Sequence, residues 1–437
     1  MPRKYWFETY GCQMNKAESN ALALILDGHG WKEAKHPEES QLVIINTCSV
    51  RKTAENRIWG RLGYYKKQKQ KLGTKIAVVG CMAERLKENI QTEIPEVDFV
   101  VGTYDKGDFA ANINALFNDG HEKDLTHNGA YTFFTKHSQP DADKAFVPIM
   151  HGCNNYCAYC IVPYVRGREV SRAPLDILDE IKELDAAGVK EITLLGQNVN
   201  SYKYRQERND ILFPDLLRTI EQQLHNIRWV RFLTSHPKDV PDDLIKVLSE
   251  SDKLCSHLHL PVQSGSDSVL KKMNRKYTRQ YYLDLVRSMR NAVPHISLTT
   301  DIIVGFPGET EKEFEETLSL MRTVGFQDAF MYYYNDIEGT AASDMKEKIP
   351  QENKLERLQK VIELQRSISN EIKQKRIGQR AEVLIEDVSK KDKKQLLGRT
   401  AHDEMIVFPG DKNKIGQFSE CEVVLVKGNT LIGEEII

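Results

Sequence analysis

HGCNNYCAYC, residues 151–160, sets three thiols, Cys153, Cys157 and Cys160, in one short loop, and the apolar run AFVPIM just before it reads as a strand. Zinc sites usually pair two well-separated CxxC units, and no second unit is present. Gaps of three and then two residues instead close three sulfurs around one metal object. Three ligands from one loop leave a coordination position open, which is how a metal site does chemistry rather than staple a fold.

Working outward, the chain alternates after this loop. Strand-like EITLLGQN, WVRFLTSHP, SHLHLPVQSGS, HISLTTDIIVGFPGET and DAFMYYYN are separated by helix-like segments, beginning with APLDILDEIKELDAAGVK. With AFVPIM these make six βα-type strands, whose natural closure is a parallel barrel or partial barrel with its functional groups at the C-terminal strand ends. Polar clusters fall there: Gly196, Gln197 and Asn198; Ser235 and His236; Gln263, Ser264 and Gly265; Gly305. His257 and His259 alternate with Leu258 and Leu260 and read as one face of a strand.

Upstream, KYWFETYGC, QLVIINTC and KIAVVGC are strand-like runs that each end on a cysteine: Cys12, Cys48 and Cys81. The helical patterns between them are closed by glycine, and the spacing suits right-handed βαβ crossovers. Ligands of an open parallel sheet sit beyond the carboxyl ends of its strands, so one sheet edge would present all three thiols. VDFVVG supplies a fourth strand, and a polar connector at 118–143 closes the unit. Downstream, a long amphipathic helix gives way near Gly378 to short alternating runs that read as a small barrel.

The expected fold class is therefore α/β in three parts. These are an N-terminal open parallel α/β domain (1–140), a central (β/α)6 partial TIM barrel (144–372) and a small all-β barrel (375–437). A length of 437 residues suits about three domains. The net charge of -2 excludes a globally basic nucleic-acid binder and leaves local patches: Lys390, Lys391, Lys393 and Lys394 in one turn, and Lys66, Lys67, Lys69 and Lys71 on one helix. No apolar run approaches a membrane span and MPRKYWFETYGC carries no signal pattern, so no membrane association and a cytoplasmic location are expected. Eight cysteines in that compartment are ligands or buried residues sooner than disulfides, with Cys255 and Cys421 read as small buried ones.

CNNYCAYC, with Tyr159 before its last cysteine, resembles the signature of the radical S-adenosylmethionine enzymes. That resemblance implies a 4Fe-4S cluster on Cys153, Cys157 and Cys160 whose free iron takes S-adenosylmethionine, yielding a 5′-deoxyadenosyl radical. YGCQMN, INTCSVR and VVGCMAER resemble the methylthiotransferases within that superfamily, which implies a second 4Fe-4S cluster on Cys12, Cys48 and Cys81. VPYVRGRE, LLGQNVNSY, HLPVQSGSD, MNRKYTR and DIIVGFPGET are similar to the branch that modifies isopentenyl-adenosine beside the tRNA anticodon.

The likeness spans essentially the whole chain and implies an RNA-binding TRAM domain at its end. It implies a reaction in which one S-adenosylmethionine methylates a sulfur carried at the second cluster and another is cleaved at the first. The methylthio group then replaces hydrogen on carbon 2 of the adenine. Tyr159, Gln197, Asn198, Gln263 and Ser264 are the candidate contacts to S-adenosylmethionine, and Arg166, Arg168 and Arg172 are offered to a carboxylate or phosphate, or to surface salt bridges. The expected partners are the tRNA anticodon stem-loop and an external electron donor, with the chain acting as a monomer.

Other readings are a methylthiotransferase for threonylcarbamoyl-adenosine or for a ribosomal-protein aspartate, and, in a different class, a non-catalytic iron-sulfur RNA-binding protein. One departure from the family stands out: DIEGT puts Ile337 where relatives carry an arginine two residues before Gly-Thr.

Overall fold

The first strands are apolar on both faces, as in a parallel sheet covered by helices on each side. A computed structural model describes residues 2–50, 52–104, 106, 109–117, 131–138, 143–207 and 209–436. Its first elements are β1 (Lys4–Thr9), α1 (Gln13–Gly28), β2 (Lys32–Glu33), β3 (Leu42–Thr47), α2 (Lys52–Leu72), β4 (Lys75–Gly80), α3 (Cys81–Glu93), β5 (Phe99–Val101) and α4 (Phe109–Phe117). The sheet order is β2-β1-β3-β4-β5 with every pair parallel. Alternation divides its core in two: Leu42, Ile44, Ala77 and Val79 pack on one face, and Val43, Ile45, Ile76 and Val78 on the other. Most of the connector read at 118–143 lies outside the described residues.

Next come β6 (Lys144–Pro148), β7 (Met150–His151), α5 (Val162–Val165), β8 (Val170–Ser171), α6 (Pro174–Ala186), β9 (Glu191–Leu195), β10 (Lys203–Tyr204), β11 (Ile211–Leu212), α7 (Phe213–Gln223) and β12 (Trp229–Phe232). After these follow α8 (Asp242–Glu250), β13 (His257–His259), α9 (Asp267–Lys272), α10 (Arg279–Ala292), β14 (Ser297–Val304), α11 (Glu311–Val324), β15 (Asp328–Tyr333) and α12 (Gln351–Gln374). Two parallel three-stranded halves, β12-β9-β6 and β13-β14-β15, meet through one bridge, Val230 to Leu254. The result is a six-stranded partial barrel with helices packed outside. His257 and His259 share a strand face as expected, and both hydrogen-bond the Thr299 hydroxyl, at 2.9 and 3.0 Å.

The last elements, β16 (Arg380–Val388), β17 (Gln395–Thr400), β18 (Met405–Pro409), β19 (Phe418–Lys427) and β20 (Thr430–Glu435), close a barrel in the order β16-β17-β18-β20-β19. Cys421 is buried in its core. The barrel docks at the N-terminal ends of the central strands. There Arg231 donates to the Thr400 carbonyl at 2.7 Å, Lys144 pairs with Glu386, and Leu384 packs with Trp229 and Cys255. The C-terminal strand ends are thereby left to the cysteine loop and the N-terminal domain. No helix among the described residues is long and apolar enough to cross a membrane.

Candidate active site

The cysteine loop leaves β7 through Gly152, whose φ of +79° and the Arg168 carbonyl oxygen lying where any added Cβ would sit leave room only for glycine. Cys153 N–H donates to Gly167 O at 3.1 Å and Cys160 N–H to Cys157 O at 2.9 Å. Residues 273–275 wall the loop on its other side. Ala158 N–H donates to Met273 O at 3.0 Å, Asn274 Nδ2 to Tyr156 O at 2.8 Å, and Arg275 Nη1 to Cys157 Sγ at 3.5 Å. We expect Gly152→Ala to lose iron at this loop and to destabilise the chain by about 1–3 kcal/mol, the cost of a strained left-handed residue before any clash is counted. Iron content and thermal melting of the variant check this.

Cys12, Cys48 and Cys81 emerge from the carboxyl ends of β1, β3 and β4. An order of 2-1-3-4-5 reverses direction between β1 and β3, and that switch point is where such sheets bind ligands. Cys12 is the cap of α1 and Cys81 its counterpart at the first turn of α3, so both sulfurs lie at helix N-termini, where anionic groups are favoured. Gly11 (φ +113°) lies so close to Cys48 that an added Cβ would meet its Cβ at 2.7 Å. Asn15 ties the set together: Nδ2 donates to Tyr10 O and Thr47 O at 2.7 and 2.9 Å, and Oδ1 accepts from Arg166 at 2.9 Å and from the Cys12 thiol at 3.8 Å.

All six thiols are free. Burial, with the neighbouring thiols adding to it, pushes Cys48 up to about 12, and burial likewise lifts Cys153 to about 11 and Cys160 to about 12. Without a metal these are inert thiols, not nucleophiles, because burial raises a thiol while coordination removes its proton. Among the described residues no His, Cys, Asp or Glu trio is gathered tightly enough for a single metal ion. Soft thiol donors, three to a set, fit a larger iron-sulfur group in both places.

The two sets approach each other across the domain boundary. Cys81 packs against Ile161, the neighbour of Cys160, together with Val165 and Ile337. A cavity of about 430 Å³ opens there, of a size usual for small-molecule sites, and takes its walls from both domains: Val50 just past Cys48, Tyr159 and Cys160 of the loop, Gln263 and Asp301 of the barrel, and Ile337. Tyr159 and Gln263 thus face it, and the Gln263 side-chain oxygen is buried with no hydrogen-bond partner. Gln197 braces the loop instead, accepting from Gly152 N–H at 2.5 Å. Asn198 bonds Asp239 (2.7 Å) and His236 N–H (3.2 Å), while Ser264 meets Thr317 (3.3 Å) and Ser266 N–H (3.2 Å). Neither lines the cavity.

Two of the arginines are neither surface pairs nor ligands of a small anion. Arg166 is buried against Glu18 of α1 at 2.8 Å, and Lys106 shares that carboxylate at 2.7 Å. Arg172 is buried on Glu180. Docking of α1 made Arg166 an internal tie, and Glu180 with the Pro148 and Thr135 carbonyls did the same for Arg172; local sequence reveals neither. Asp301, Val50 and Arg275 were missed as site residues, although each lies in a run singled out in the sequence: DIIVGFPGET, INTCSVR and MNRKYTR. At the departure from the family pattern, Ile337 gives the cavity an apolar wall, and Lys348 pairs with the adjacent Asp336 at 3.0 Å.

Three family models match the chain: Uncharacterized protein family UPF0004 over residues 4–102, Radical SAM superfamily over 147–321, and TRAM domain over 374–436. The chain is 45% identical over 444 residues to the tRNA-2-methylthio-N(6)-dimethylallyladenosine synthase of Treponema pallidum (strain Nichols), covering 98% of this chain and 97% of that protein. It is 43% identical over 441 residues to the protein of the same name from Parabacteroides distasonis, with 99% and 96% covered.

Among solved structures, the radical S-adenosylmethionine methyltransferase TsrM from Kitasatospora setae, with cobalamin and a 4Fe-4S cluster bound, aligns at a TM-score of 0.56 and 12% identity. That alignment covers 76% of this chain and 75% of that one. The cobalamin-dependent radical enzyme OxsB aligns at 0.53 and 12%, covering 82% and 56%. These two share the fold. Identity above 40% across nearly the full length decides the rest: the chain belongs to the tRNA-2-methylthio-N(6)-dimethylallyladenosine synthase family of radical S-adenosylmethionine enzymes.

Proposed function

We infer that this protein is a methylthiotransferase that converts isopentenyl-adenosine, 3′ of the tRNA anticodon, to its 2-methylthio derivative. The observation that carries this reading is the packing of Cys81 on Ile161, which brings the N-terminal thiols beside the cysteine loop and the cavity lined by Cys160. Cys153, Cys157 and Cys160 would hold one 4Fe-4S cluster and Cys12, Cys48 and Cys81 a second. With S-adenosylmethionine bound, the first would supply hydrogen-abstracting radical chemistry and the second would carry the sulfur for transfer.

The chain's own residues supply binding and exclusion of water. Gln263 offers an unsatisfied acceptor, and Asp301 a carboxylate, to hydroxyl or amine donors of the cofactor or base. Tyr159, Ile161 and Ile337 form an apolar wall that keeps water from a reactive radical. Gln197, Asn198 and Ser264 hold the rim loops that shape the site. The target base must leave its stack to reach the cavity, as chemistry on a base edge requires. The enzyme works in the cytoplasm as a monomer, drawing electrons from an external donor.

Reduced, iron-reconstituted protein incubated anaerobically with S-adenosylmethionine and tRNA bearing isopentenyl-adenosine tests the reading. Mass spectrometry of the nucleosides should find the 2-methylthio product together with 5′-deoxyadenosine. Product on threonylcarbamoyl-adenosine alone would reassign the substrate. No 5′-deoxyadenosine at all would leave an RNA-binding iron-sulfur protein.

For the tRNA itself, the hairpin lysines are the better candidates. Lys390, Lys391, Lys393 and Lys394 are all exposed, whereas Lys66 and Lys69 pair with Glu96 and Asp98 at 2.9 and 2.6 Å. Replacing the four hairpin lysines with alanine should weaken tRNA binding without changing sequence preference. The slope of log affinity against log salt should fall by about one for each phosphate that the variant no longer neutralises. Filter binding across a salt series measures both.

A further inference from the structure

Two buried guanidinium groups lie beside the cysteines, and they differ in how their charge is met. Arg166 has the Glu18 carboxylate at 2.8 Å. Arg275 is only 4% exposed, yet no carboxylate among the described residues pairs with it. Its neighbours are neutral: Nε donates to the Tyr277 hydroxyl at 2.9 Å and Nη2 to the Pro261 carbonyl at 2.6 Å. The remaining bond is from Nη1 to Cys157 Sγ at 3.5 Å. A buried charge without a counter-ion costs several kcal/mol, so a fold that keeps one has an anion to meet it in its working state.

The backbone is built to hold that guanidinium in place. Asn274 and Lys276, on either side, both take left-handed φ of +59°, a conformation that costs energy for any residue but glycine. Residues 273, 274 and 275 in turn bond Ala158, Tyr156 and Cys157, so the segment is registered against the cysteine loop residue by residue.

We propose that Arg275 is the counter-charge of the Cys153, Cys157 and Cys160 site: it donates to the Cys157 sulfur, balances the anionic thiolate cluster held there, and raises that cluster's reduction potential. This rests on the assignment of an iron-sulfur cluster to that loop. Reduction takes one electron from an external one-electron donor and adds one unit of negative charge beside the guanidinium. Net charge and hydrogen bonds to sulfur are the levers that set such potentials. Arg275 acts through the cluster, so it is a positioning and tuning residue.

The test uses the reconstituted full chain. A redox titration followed by electron paramagnetic resonance singles out the cluster whose signal changes when S-adenosylmethionine is added. Arg275→Gln should move its midpoint to a more negative potential, and Arg275→Lys should leave it nearer the wild type. In the cluster-free chain Arg275→Gln should melt at or above the wild-type temperature, because it removes an unanswered buried charge. An unchanged midpoint at wild-type iron content would overturn the proposal, and so would a lower melting temperature of the cluster-free variant, which would make Arg275 a structural clasp. Should Arg275→Gln fold but take up no iron at this loop, recovery of iron in Arg275→Lys supports the counter-charge and failure to recover overturns it. Absence of any S-adenosylmethionine-responsive signal in the wild type would instead refute the cluster assignment.

Discussion

Cys48→Ala should reduce 2-methylthio product to background while the protein still releases 5′-deoxyadenosine from S-adenosylmethionine, and Cys157→Ala should abolish both. The two outcomes separate because the thiol sets belong to different frameworks. Cys48 lies at the end of β3, where its near neighbour is Gly11 of the same sheet edge, so its loss leaves the loop at 151–160 and the 273–275 wall as they were. Cys157 sits in that loop under Arg275. Chromatography with mass spectrometry on one reaction mixture quantifies both products. Full product from Cys48→Ala would mean that the second set carries no transferred sulfur. Retained 5′-deoxyadenosine in Cys157→Ala would mean that the loop is not where S-adenosylmethionine is cleaved.

Glu18→Gln is the substitution expected to cost the fold most. Glu18 is fully buried and answers two cations from different parts of the chain, Arg166 at 2.8 Å and Lys106 at 2.7 Å. Removing the carboxylate leaves both cations unpaired where water cannot reach, and breaking one partner of a buried pair costs about 3–5 kcal/mol. Because α1 belongs to the N-terminal sheet and Arg166 to the central domain, the loss also loosens the docking that brings the two thiol sets together.

The pH dependence has a definite sign. Burial alone would raise the Glu18 carboxyl, but Arg166 and then Lys106 outweigh it and hold the group well below the usual carboxylate range. A depressed folded-state value gives stabilisation that is complete above the unfolded value, near 4.5, and is lost as the pH falls below it. Thermal melts of the cluster-free wild type should therefore drop on acidification below that point. In Glu18→Gln the drop should be smaller and the neutral-pH stability lower. Equal melting temperatures for the two proteins at neutral pH would show that the triad contributes nothing.

Much of the architecture was legible because local patterns encode it. Alternation and helical periodicity located four of the five parallel strands of the N-terminal sheet, the six strands of the central barrel, the first of them just ahead of the thiol loop, and the closing barrel. Spacing alone marked Cys153, Cys157 and Cys160, since they share one loop. Cys12, Cys48 and Cys81 were visible as strand-end residues, but their convergence was an expectation from sheet geometry.

What the amino-acid sequence determined by itself was the element types, the strand ends that carry three thiols and the loop that carries the other three and, through its motifs, the family resemblance. Only the tertiary structure decided the strand order that puts β1 beside β3 and so makes Cys12 and Cys48 neighbours at a switch point. It also decided the burial that turned Arg166 into an internal tie, the lone guanidinium over Cys157, and the cavity that Val50 and Ile337 help to close. The physical reason is range. Periodicity and turn chemistry act over a few residues, whereas strand order, the pairing of a buried charge and the walls of a cavity depend on residues tens to hundreds of positions apart meeting in the folded chain.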